Sequence, residues 1–464
     1  MRPFSSPSEA GARSGDDAWL RAMLDFEAAL AGALADVGVA SAAAAEEIEA
    51  ACADDGWDLD ALGAGTARDG TPVPALLKQL RGRLSDEAAA ILHRGATSQD
   101  VVDTAAMLVA RRALEPLLAD LDAAGDAAAA LADRHRGDLA VARTLLQQAL
   151  PTTFGLRAAG WLAGLDDAAA RLAAVRDGRL AIQLGGAVGT LASLAGAAPG
   201  PSDALGAEAA VEAGLGTEGL AVAEELARRL DLPVPSTPWQ TNRSRVVELG
   251  AALGQAAGAA GKVGTDVVLL AQTEVGEVAE GGGGGGSSTL PQKRNPTRAV
   301  TAVAAARRTP GLVATLFAAM PGEEERAAGA WQAEAETLAE LLRLTGAAVA
   351  AVRALLDGLE VFPDRMRANL DLTAGLVMSE SLAGALGESL GRARAQELVG
   401  AAARRALAAG ESLAAAAAAT PEIVAELGAD GIAAALDPAG YLGASDELID
   451  RALAAHRERA AAGR

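Results

Sequence analysis

Residues 249–270 read LGAALGQAAGAAGKVGTDVVLL, and this stretch decides the fold class. Its apolar side chains recur at alternating spacings of four and three residues, and no proline interrupts the chain between Arg243 and Glu280. The positions of this seam are Leu249, Leu253, Ala256, Ala260, Val263, Val267 and Leu270. Heptad spacing predicts a helix with one apolar stripe, which packs best against nearly parallel helices at about 20°. We therefore expect a bundle of long helices.

The composition of the whole chain favours the same class. Aromatic residues make up 2% of the 464 residues, and alanine and leucine dominate the apolar set. Small side chains favour closely packed helices over sheets, which are enriched in Val, Ile and Tyr. We predict an all-α protein. Breaks in the helical pattern are frequent before residue 100 and sparse afterwards, and they predict three domains at residues 1–105, 106–357 and 358–464.

Charge and cysteine content disfavour several classes of function. The formal net charge of −21 at pH 7 argues against a nucleic-acid partner. The single cysteine, Cys52, excludes an internal disulfide framework, and three histidines leave little for a metal cluster. No apolar stretch reaches membrane length without charge or glycine, and the first thirty residues do not resemble an export signal. We expect a cytoplasmic protein without a metal, in which an anionic substrate would need a local basic pocket.

The most unusual segment is residues 281–296, which read GGGGGGSSTLPQKRNP. Glycine loses more backbone entropy on ordering than any other residue, so a run of glycines does not serve stability. A solvent linker has no need of the serines, cations and asparagine that follow in one compact cluster, whereas a loop that closes over a substrate does. We expect this loop to follow directly on the long helix and to carry catalytic groups.

Three segments resemble signatures of the fumarase, aspartase and adenylosuccinate lyase superfamily. Residues 286–296 look like G-S-S-x-M-P-x-K-x-N-P, with Leu290 in place of methionine. Residues 93–100 (HRGATSQD) are similar to H-x-G-x-T-S-x-D, and residues 142–153 resemble the region G-R-T-H-x-Q-x-A-x-P-T. Other stretches resemble the bacterial 3-carboxy-cis,cis-muconate cycloisomerases of that superfamily, namely residues 183–191, 238–243, 325–326 and 331–334. The resemblance implies a three-domain fold with a central long-helix bundle.

The resemblance also implies roles for individual residues. Ser287 handles the proton at the carbon next to a carboxylate, and Lys293 and Asn295 hold the carboxylate or its aci-carboxylate intermediate. The implied substrate-binding residues are His93, Thr97, Ser98, Arg143, Thr144, Gln147, Ser288, Arg243 and Arg326. For the last two arginines an ion pair or a solvated helix charge stays open as an alternative. Ser98 or Asp100 also suits the N-cap of the helix that follows.

Two positions depart from the superfamily pattern together. Leu145 stands where the superfamily has a histidine, and Val300 stands where it has the glutamate that pairs with that histidine on the leaving-group side. Replacement of both residues together is chemically reasonable, because loss of the histidine alone would leave an unpaired glutamate in a closed site, and that is costly. A carboxylate that attacks an alkene within the same molecule is already ionised and does not need the pair. The resemblance implies conversion of 3-carboxy-cis,cis-muconate into a carboxymuconolactone, in the protocatechuate branch of the β-ketoadipate pathway of aromatic catabolism.

Two other functions stay open at this point. A fumarate-releasing lyase, acting on adenylosuccinate or argininosuccinate, is disfavoured by Leu145 and Val300. A catalytically silent helical oligomer is disfavoured by the intact Ser287, Lys293 and Asn295. The resemblance further implies a small tricarboxylate substrate and a homotetramer with active sites shared between protomers. No cofactor is expected, because the substrate supplies its own nucleophile and electron sink.

Overall fold

The computed structural model describes residues 7–194, 218–282, 285–286 and 289–462. The predicted all-α class is confirmed, because helices dominate this part of the chain and the strands form two short antiparallel pairs. In chain order the helices and strands are α1 (Glu9–Ala12), α2 (Asp16–Asp36), α3 (Ala42–Ala53), α4 (Leu59–Asp69), α5 (Val73–Arg81), α6 (Asp86–Ile91), α7 (Ser98–Arg134), β1 (Leu139–Thr144), β2 (Gln147–Thr153), α8 (Phe154–Gly178), α9 (Glu218–Leu230), α10 (Ser244–Leu270), β3 (Val278–Glu280), α11 (Thr297–Ala319), α12 (Glu334–Asp357), β4 (Leu359–Val361), α13 (Pro363–Asp371), α14 (Ser379–Leu390), α15 (Arg392–Ala409), α16 (Leu413–Ala418), α17 (Pro421–Ala435) and α18 (Ser445–Ala462).

The chain divides into two compact units, each built from three segments. The first unit comprises Met1–Asp120, Ala168–Gly258 and Ala304–Ala350, and the second comprises Leu121–Asp167, Ala259–Val303 and Ala351–Arg464. The division into three consecutive domains at residues 105 and 357 stays a prediction. No helix in the described ranges is long and apolar enough to cross a membrane.

The heptad seam of α10 is confirmed. Every seam position from Leu249 to Leu270 is buried, and none of these side chains is more than 5% exposed. The polar residues of the same helix lie on its other side, where Gln255, Lys262 and Thr265 are exposed. Burial of the apolar stripe stabilises this helix more than its intrinsic propensity does, because glycines at several positions lower that propensity.

The expectation that the glycine-rich loop follows directly on this helix is wrong. Helix α10 ends at Leu270, whose carbonyl accepts a hydrogen bond of 2.9 Å from the amide of Glu277. Strand β3 then pairs antiparallel with β4, and Glu280 lies opposite Leu359. The turn requires Gly276, which has a φ of +59°, and the strand buries Val278. The loop therefore begins from a strand end, not from a helix end.

Each unit positions one group of the predicted site segments. In the first unit, α2 packs against α3 and α9, and the turn at residues 93–100 leads into α7. In the second unit, the β1–β2 hairpin packs through Val141 against Leu370, Val377 and Met378. The C-terminal helices α14 to α17 have a separate apolar core of leucines and alanines within the same unit. The hairpin is thus fixed at its base, while its far end carries residues 143–147.

Candidate active site

The turn at residues 93–100 brings a histidine and a carboxylate together. Nδ1 of His93 lies 2.7 Å from Oε1 of Glu27 on α2. The Glu27 side chain is fully buried, whereas 15% of the His93 side chain is exposed. The backbone of His93 has a φ of +63°, in the left-handed region that few residues other than glycine adopt. Glu27 was not predicted from the sequence, and within the described residues it is the one hydrogen-bond partner of the His93 ring.

Asp100 organises the same turn from inside. Its side chain is fully buried, and its carboxylate accepts hydrogen bonds of 2.9–3.1 Å from the amides of Thr97, Gly185 and Gly186 and from the side chain of Gln183. Burial raises the pKa of Asp100 to about 7, against the opposing effect of these four N–H donors. Helix α7 begins at Ser98, so its N-cap is Thr97, and the predicted N-cap role of Ser98 or Asp100 is wrong. Asp100 instead accepts a hydrogen bond from the amide of that N-cap residue, as the third helical residue of a capping box does.

The same turn brings two predicted substrate-binding residues into contact. Nη1 of Arg326 donates a hydrogen bond of 2.8 Å to Oγ1 of Thr97, and its Nη2 donates one of 2.8 Å to the carbonyl of Ala187. Both side chains are half-buried, as is Ser98 in the first turn of α7. Guanidinium and hydroxyl groups side by side form a donor set suited to a carboxylate.

Arg243 occupies a different environment from Arg326. It is 3% exposed, and its guanidinium lies between the carboxylates of Asp103, at 2.7 and 2.8 Å, and Glu334, at 3.0 Å. Trp331 donates a further hydrogen bond to Asp103. Burial alone would lower the pKa of Arg243, but the two carboxylates outweigh this effect and raise it. The ion pair left open by the sequence is present here, and direct binding of substrate by Arg243 stays a prediction.

The β1–β2 hairpin carries the third segment. Arg143 donates to both carboxylate oxygens of Glu277, one of the bonds being 3.1 Å long, and Nδ2 of Asn369 donates to the same carboxylate at 2.8 Å. Glu277 is fully buried and was not predicted from the sequence. Thr144 and Gln147 pair across the end of the hairpin and are exposed. The structure therefore fixes Arg143 by an ion pair and places Thr144 and Gln147 at a surface.

The hairpin ends in two strained apolar residues. Leu145 and Leu146 have φ values of +51° and +64°, and they are 96% and 69% exposed. Positive φ at both central positions is the requirement of a type I′ turn, which usually selects asparagine and glycine. Val300, the second apolar substitution, lies near the start of α11 and is 51% exposed. Strain of this kind, which costs on the order of 1–3 kcal/mol per residue, is typical of functional sites.

The glycine-rich loop is described only in part, because Ser287 and Ser288 lie outside the described residues. Lys293 is exposed, and Asn295 is half-buried. Both the backbone amide and Nδ2 of Asn295 donate to the carbonyl of Gly285, at 3.0 and 2.9 Å. A Cβ atom at Gly285 would lie 2.1 Å from the carbonyl oxygen of Asn295, and the backbone of Gly285 has a φ of +78°. Only glycine fits at this position, which explains one residue of the run.

The two ends of the loop are joined by reciprocal contacts. The carboxylate of Glu280 accepts hydrogen bonds from the amides of Arg298 and Ala299, at 3.1 and 2.8 Å, in the first turn of α11. In return, Nη1 of Arg298 donates to the carbonyl of Gly281 at 2.9 Å. A carboxylate at a helix N-terminus is stabilised by the free amides and by the helix dipole. We call Glu280 and Arg298 the loop clamp.

The predicted site residues thus fall into two groups. His93, Thr97, Ser98, Arg243 and Arg326 belong to the first unit, and the hairpin and loop residues belong to the second. Among the described residues, no three histidine, cysteine or acidic side chains lie close enough to hold a metal ion. The first unit gathers hydroxyl and cationic donors, and the second presents a lysine, a threonine and amide side chains. Each group by itself consists of donors that suit a carboxylate.

Comparisons with known proteins identify the family. A family described as lyase matches residues 8–311, and a family described as adenylosuccinate lyase C-terminus matches residues 375–452. The chain therefore belongs to the lyase family of enzymes.

Individual relatives are similar over nearly the whole chain. The 3-carboxy-cis,cis-muconate cycloisomerase of Bradyrhizobium diazoefficiens is 44% identical over 98% of this chain and 97% of its own length. The nitrosuccinate lyase of Streptomyces davaonensis is 43% identical over 98% of this chain and 94% of its own. Among solved structures, 3-carboxy-cis,cis-muconate lactonizing enzyme from Pseudomonas putida has a TM-score of 0.88 and 40% identity, with 98% of each chain covered.

Proposed function

We propose that this protein is a cycloisomerase that closes 3-carboxy-cis,cis-muconate into a carboxymuconolactone. One observation carries the proposal. The chain keeps the segments that resemble the carboxylate-binding segments and the loop of the superfamily. Where lyases of the superfamily pair a histidine with a glutamate, however, this chain has the exposed apolar residues Leu145 and Val300. An intramolecular carboxylate nucleophile needs no such pair. The near-complete alignment with cycloisomerases supports the same activity.

The proposed reaction is an addition followed by protonation. A carboxylate oxygen of the substrate bonds to the ring-closing alkene carbon, and the alkene electrons move into the conjugated carboxylate to give an aci-carboxylate. Ser287 then delivers a proton to the carbon next to that carboxylate and regains one from water. The trianionic substrate and one proton thus give the dianionic lactone, which as the free acid is an isomer of the substrate. No redox step is required.

The remaining residues bind and stabilise charge in this scheme. The ammonium of Lys293 and the second N–H of Asn295 stabilise the extra negative charge of the aci-carboxylate. Thr97, Ser98 and Arg326 bind a second carboxylate, and we propose that His93, Ser288, Thr144 and Gln147 orient the others. Arg143, held by Glu277, fixes the hairpin that carries the last two. We assign Arg243 to the buried ion pair that supports the start of α7. A direct contact between Arg243 and the substrate stays a prediction.

The test is the ultraviolet absorbance of 3-carboxy-cis,cis-muconate mixed with the purified protein. We expect the conjugated-diene band to disappear with the wild type, and Ser287→Ala to lower kcat by about a thousandfold, as loss of a proton donor does. Ser236→Ala, at an exposed serine of the first unit, is the control and should retain full activity. A wild type that leaves the band unchanged but consumes nitrosuccinate or adenylosuccinate would contradict the proposal and favour a lyase.

We further propose that the protein is a cytoplasmic homotetramer whose active sites combine segments from different protomers. The exposed Leu145 and Leu146 support this proposal, because two large apolar residues at a strained hairpin end gain stability when a neighbouring chain covers them. Light scattering gives the number of chains. Mixing inactive Ser287→Ala with inactive Thr97→Ala protein, followed by unfolding and refolding together, should restore part of the activity if sites are shared. No recovery in a stable tetramer would contradict shared sites.

A further inference from the structure

The contact between Glu27 and His93 has no role in the proposed reaction so far. Glu27 lies on α2 among the buried apolar residues of that helix, between Met23 and Leu30. Its side chain is fully buried, and Oε1 contacts Nδ1 of His93 at 2.7 Å. Its second oxygen, Oε2, is buried and has no hydrogen-bond partner within the described residues. A buried carboxylate with one partner is costly unless that partner carries the opposite charge.

The surroundings of His93 favour its charged form. Burial by itself lowers the pKa of His93, but the hydrogen bond and the charge of Glu27, with a smaller contribution from Asp100, raise it above the ordinary value. Arg81, in the last turn of α5, acts in the opposite direction. Within the described residues, the charged groups that act on the ring are thus Glu27 on α2, Asp100 on α7 and Arg81 on α5. Their net effect keeps the imidazole protonated at a higher pH than an isolated histidine.

The geometry presents the other edge of the ring outward. Nδ1 is used by Glu27, no hydrogen bond to Nε2 is found within the described residues, and 15% of the side chain is exposed. The backbone of His93 is held at a φ of +63°, a conformation that glycine adopts readily. The glycine of this turn, Gly95, lies two residues later and does not occupy this position. A left-handed histidine costs free energy, and such strain is found mainly at functional positions. A residue that served only to neutralise Glu27 would not require this conformation.

We propose that Glu27 is a positioning residue which, through Nδ1, keeps His93 as an imidazolium whose Nε2–H donates to a substrate carboxylate. This inference rests on the proposed function, because it assigns the ligand of His93 to the same substrate. Substrate binding then weakens as pH rises through the titration of His93, since the neutral ring loses the charge-assisted bond. Bound substrate in turn favours the protonated ring and shifts its titration to higher pH.

The first measurement is NMR titration of the imidazole resonances in protein labelled at histidine. The chain has three histidines, and His93→Asn identifies the resonance in question. We expect His93 to titrate above about 6.5, the ordinary value, and to titrate at a lower pH in Glu27→Gln. Glu46→Gln, an equal change of charge at an exposed residue of the first unit, should leave the titration unchanged. A wild-type His93 that titrates at or below the ordinary value overturns the proposal, whether or not the variant folds.

The second measurement separates this inference from the proposed function. We expect Glu27→Gln to raise KM for 3-carboxy-cis,cis-muconate about tenfold at pH 7.5 and to change kcat less than about threefold. The KM of this variant should also begin to rise at a lower pH than the KM of the wild type. Equal KM profiles in the two proteins would overturn the positioning role. If the protein does not turn over this substrate at all, the unreactive tricarballylate serves as the probe. A rise in the His93 titration on adding tricarballylate then supports carboxylate binding, and no rise contradicts it.

Discussion

The turn at residues 93–100 and the loop at residues 281–296 both carry residues that we propose to contact an anionic substrate, but they are held in opposite ways. The turn is fixed from inside by the buried carboxylate of Asp100, which accepts four hydrogen bonds. The described part of the loop is held at its two ends by the loop clamp, and Lys293, three residues before the end of the loop, is exposed. Donors fixed in advance lower the cost of binding carboxylates, whereas a loop anchored at its ends suits groups that approach a substrate after it binds.

The largest effect is expected from the buried support of the turn. Asp100→Ala leaves four N–H donors without their acceptor, and we expect the free energy of unfolding to fall by about 3–5 kcal/mol. Denaturant unfolding followed by circular dichroism measures this change. Asp100→Asn keeps the shape and one acceptor oxygen and should lose about half as much. If Asp100→Ala costs less than about 1 kcal/mol, the turn is not held from inside, and the contrast with the loop fails.

The pH dependence of stability gives an independent view of the same carboxylate. The pKa of Asp100 is raised by burial from an ordinary 3.8 to about 7, so the folded protein binds more protons than the unfolded chain between these values. Stability contributed by this group is therefore fully present below about pH 4 and is lost as pH rises toward 7, by up to about 1.4 kcal/mol per pH unit. The difference in unfolding free energy between wild type and Asp100→Asn should show this slope. A difference that is flat between pH 4 and 7 contradicts the assignment.

A pair of glycine substitutions tests the packing inside the loop. Gly285→Ala introduces a Cβ atom 2.1 Å from the carbonyl oxygen of Asn295 and requires a left-handed backbone, so Asn295 must move. We expect kcat to fall by about tenfold to a hundredfold, as misplacement of a catalytic group does, while the unfolding free energy falls by about 1–3 kcal/mol. Gly286→Ala is the matched control, because its Cβ atom meets no atom of the described residues within 4 Å. Similar losses of kcat in both variants would show that the loop tolerates no added side chain at either position. The contact of Gly285 with Asn295 would then not be the cause.

The smallest effect is expected at the loop clamp. Glu280→Gln removes the charge that binds the first turn of α11 but keeps one oxygen to accept an amide, so we expect a loss of about 0.5–1 kcal/mol in stability. Activity should fall about threefold to tenfold through kcat, because the loop ends separate more often. Steady-state kinetics and thermal unfolding measure the two effects. Glu274→Gln, at an exposed residue between α10 and β3, is a control with the same change of charge. A kcat of this control as low as that of Glu280→Gln would contradict a specific role of the clamp.

The sequence predicted the fold because its decisive signals are local. The seam from Leu249 to Leu270 depends on helical spacing alone, and it is fully buried as predicted. The end of α10 was predicted less well, since the pairing of β3 with β4 joins residues that lie far apart in the chain. Such pairing leaves a weak signal in three-residue strands, so the loop was expected to follow the helix directly.

Resemblance predicted which side chains bind substrate, and these assignments stay predictions, but it did not predict the residues that support them. Glu27, Glu277 and Glu280 each hold a predicted element through a contact with a residue distant in sequence. Glu27 did leave one signal, because it lies four residues after Met23 and three before Leu30, on the apolar face of its helix. A charged residue on a buried face requires a partner, and sequence spacing does not name that partner. Arg243 shows the same limit, because its two carboxylate partners come from separate helices.

The most direct test of the central claim, ring closure followed by proton delivery to carbon, is NMR analysis of the product formed from 3-carboxy-cis,cis-muconate in D2O. The proposed mechanism predicts a carboxymuconolactone with one deuterium, on the carbon next to the carboxylate that received the alkene electrons. Deuterium on a single face of that carbon would further indicate delivery by a fixed group such as Ser287. A lactone without carbon-bound deuterium, or unchanged substrate, would contradict the account.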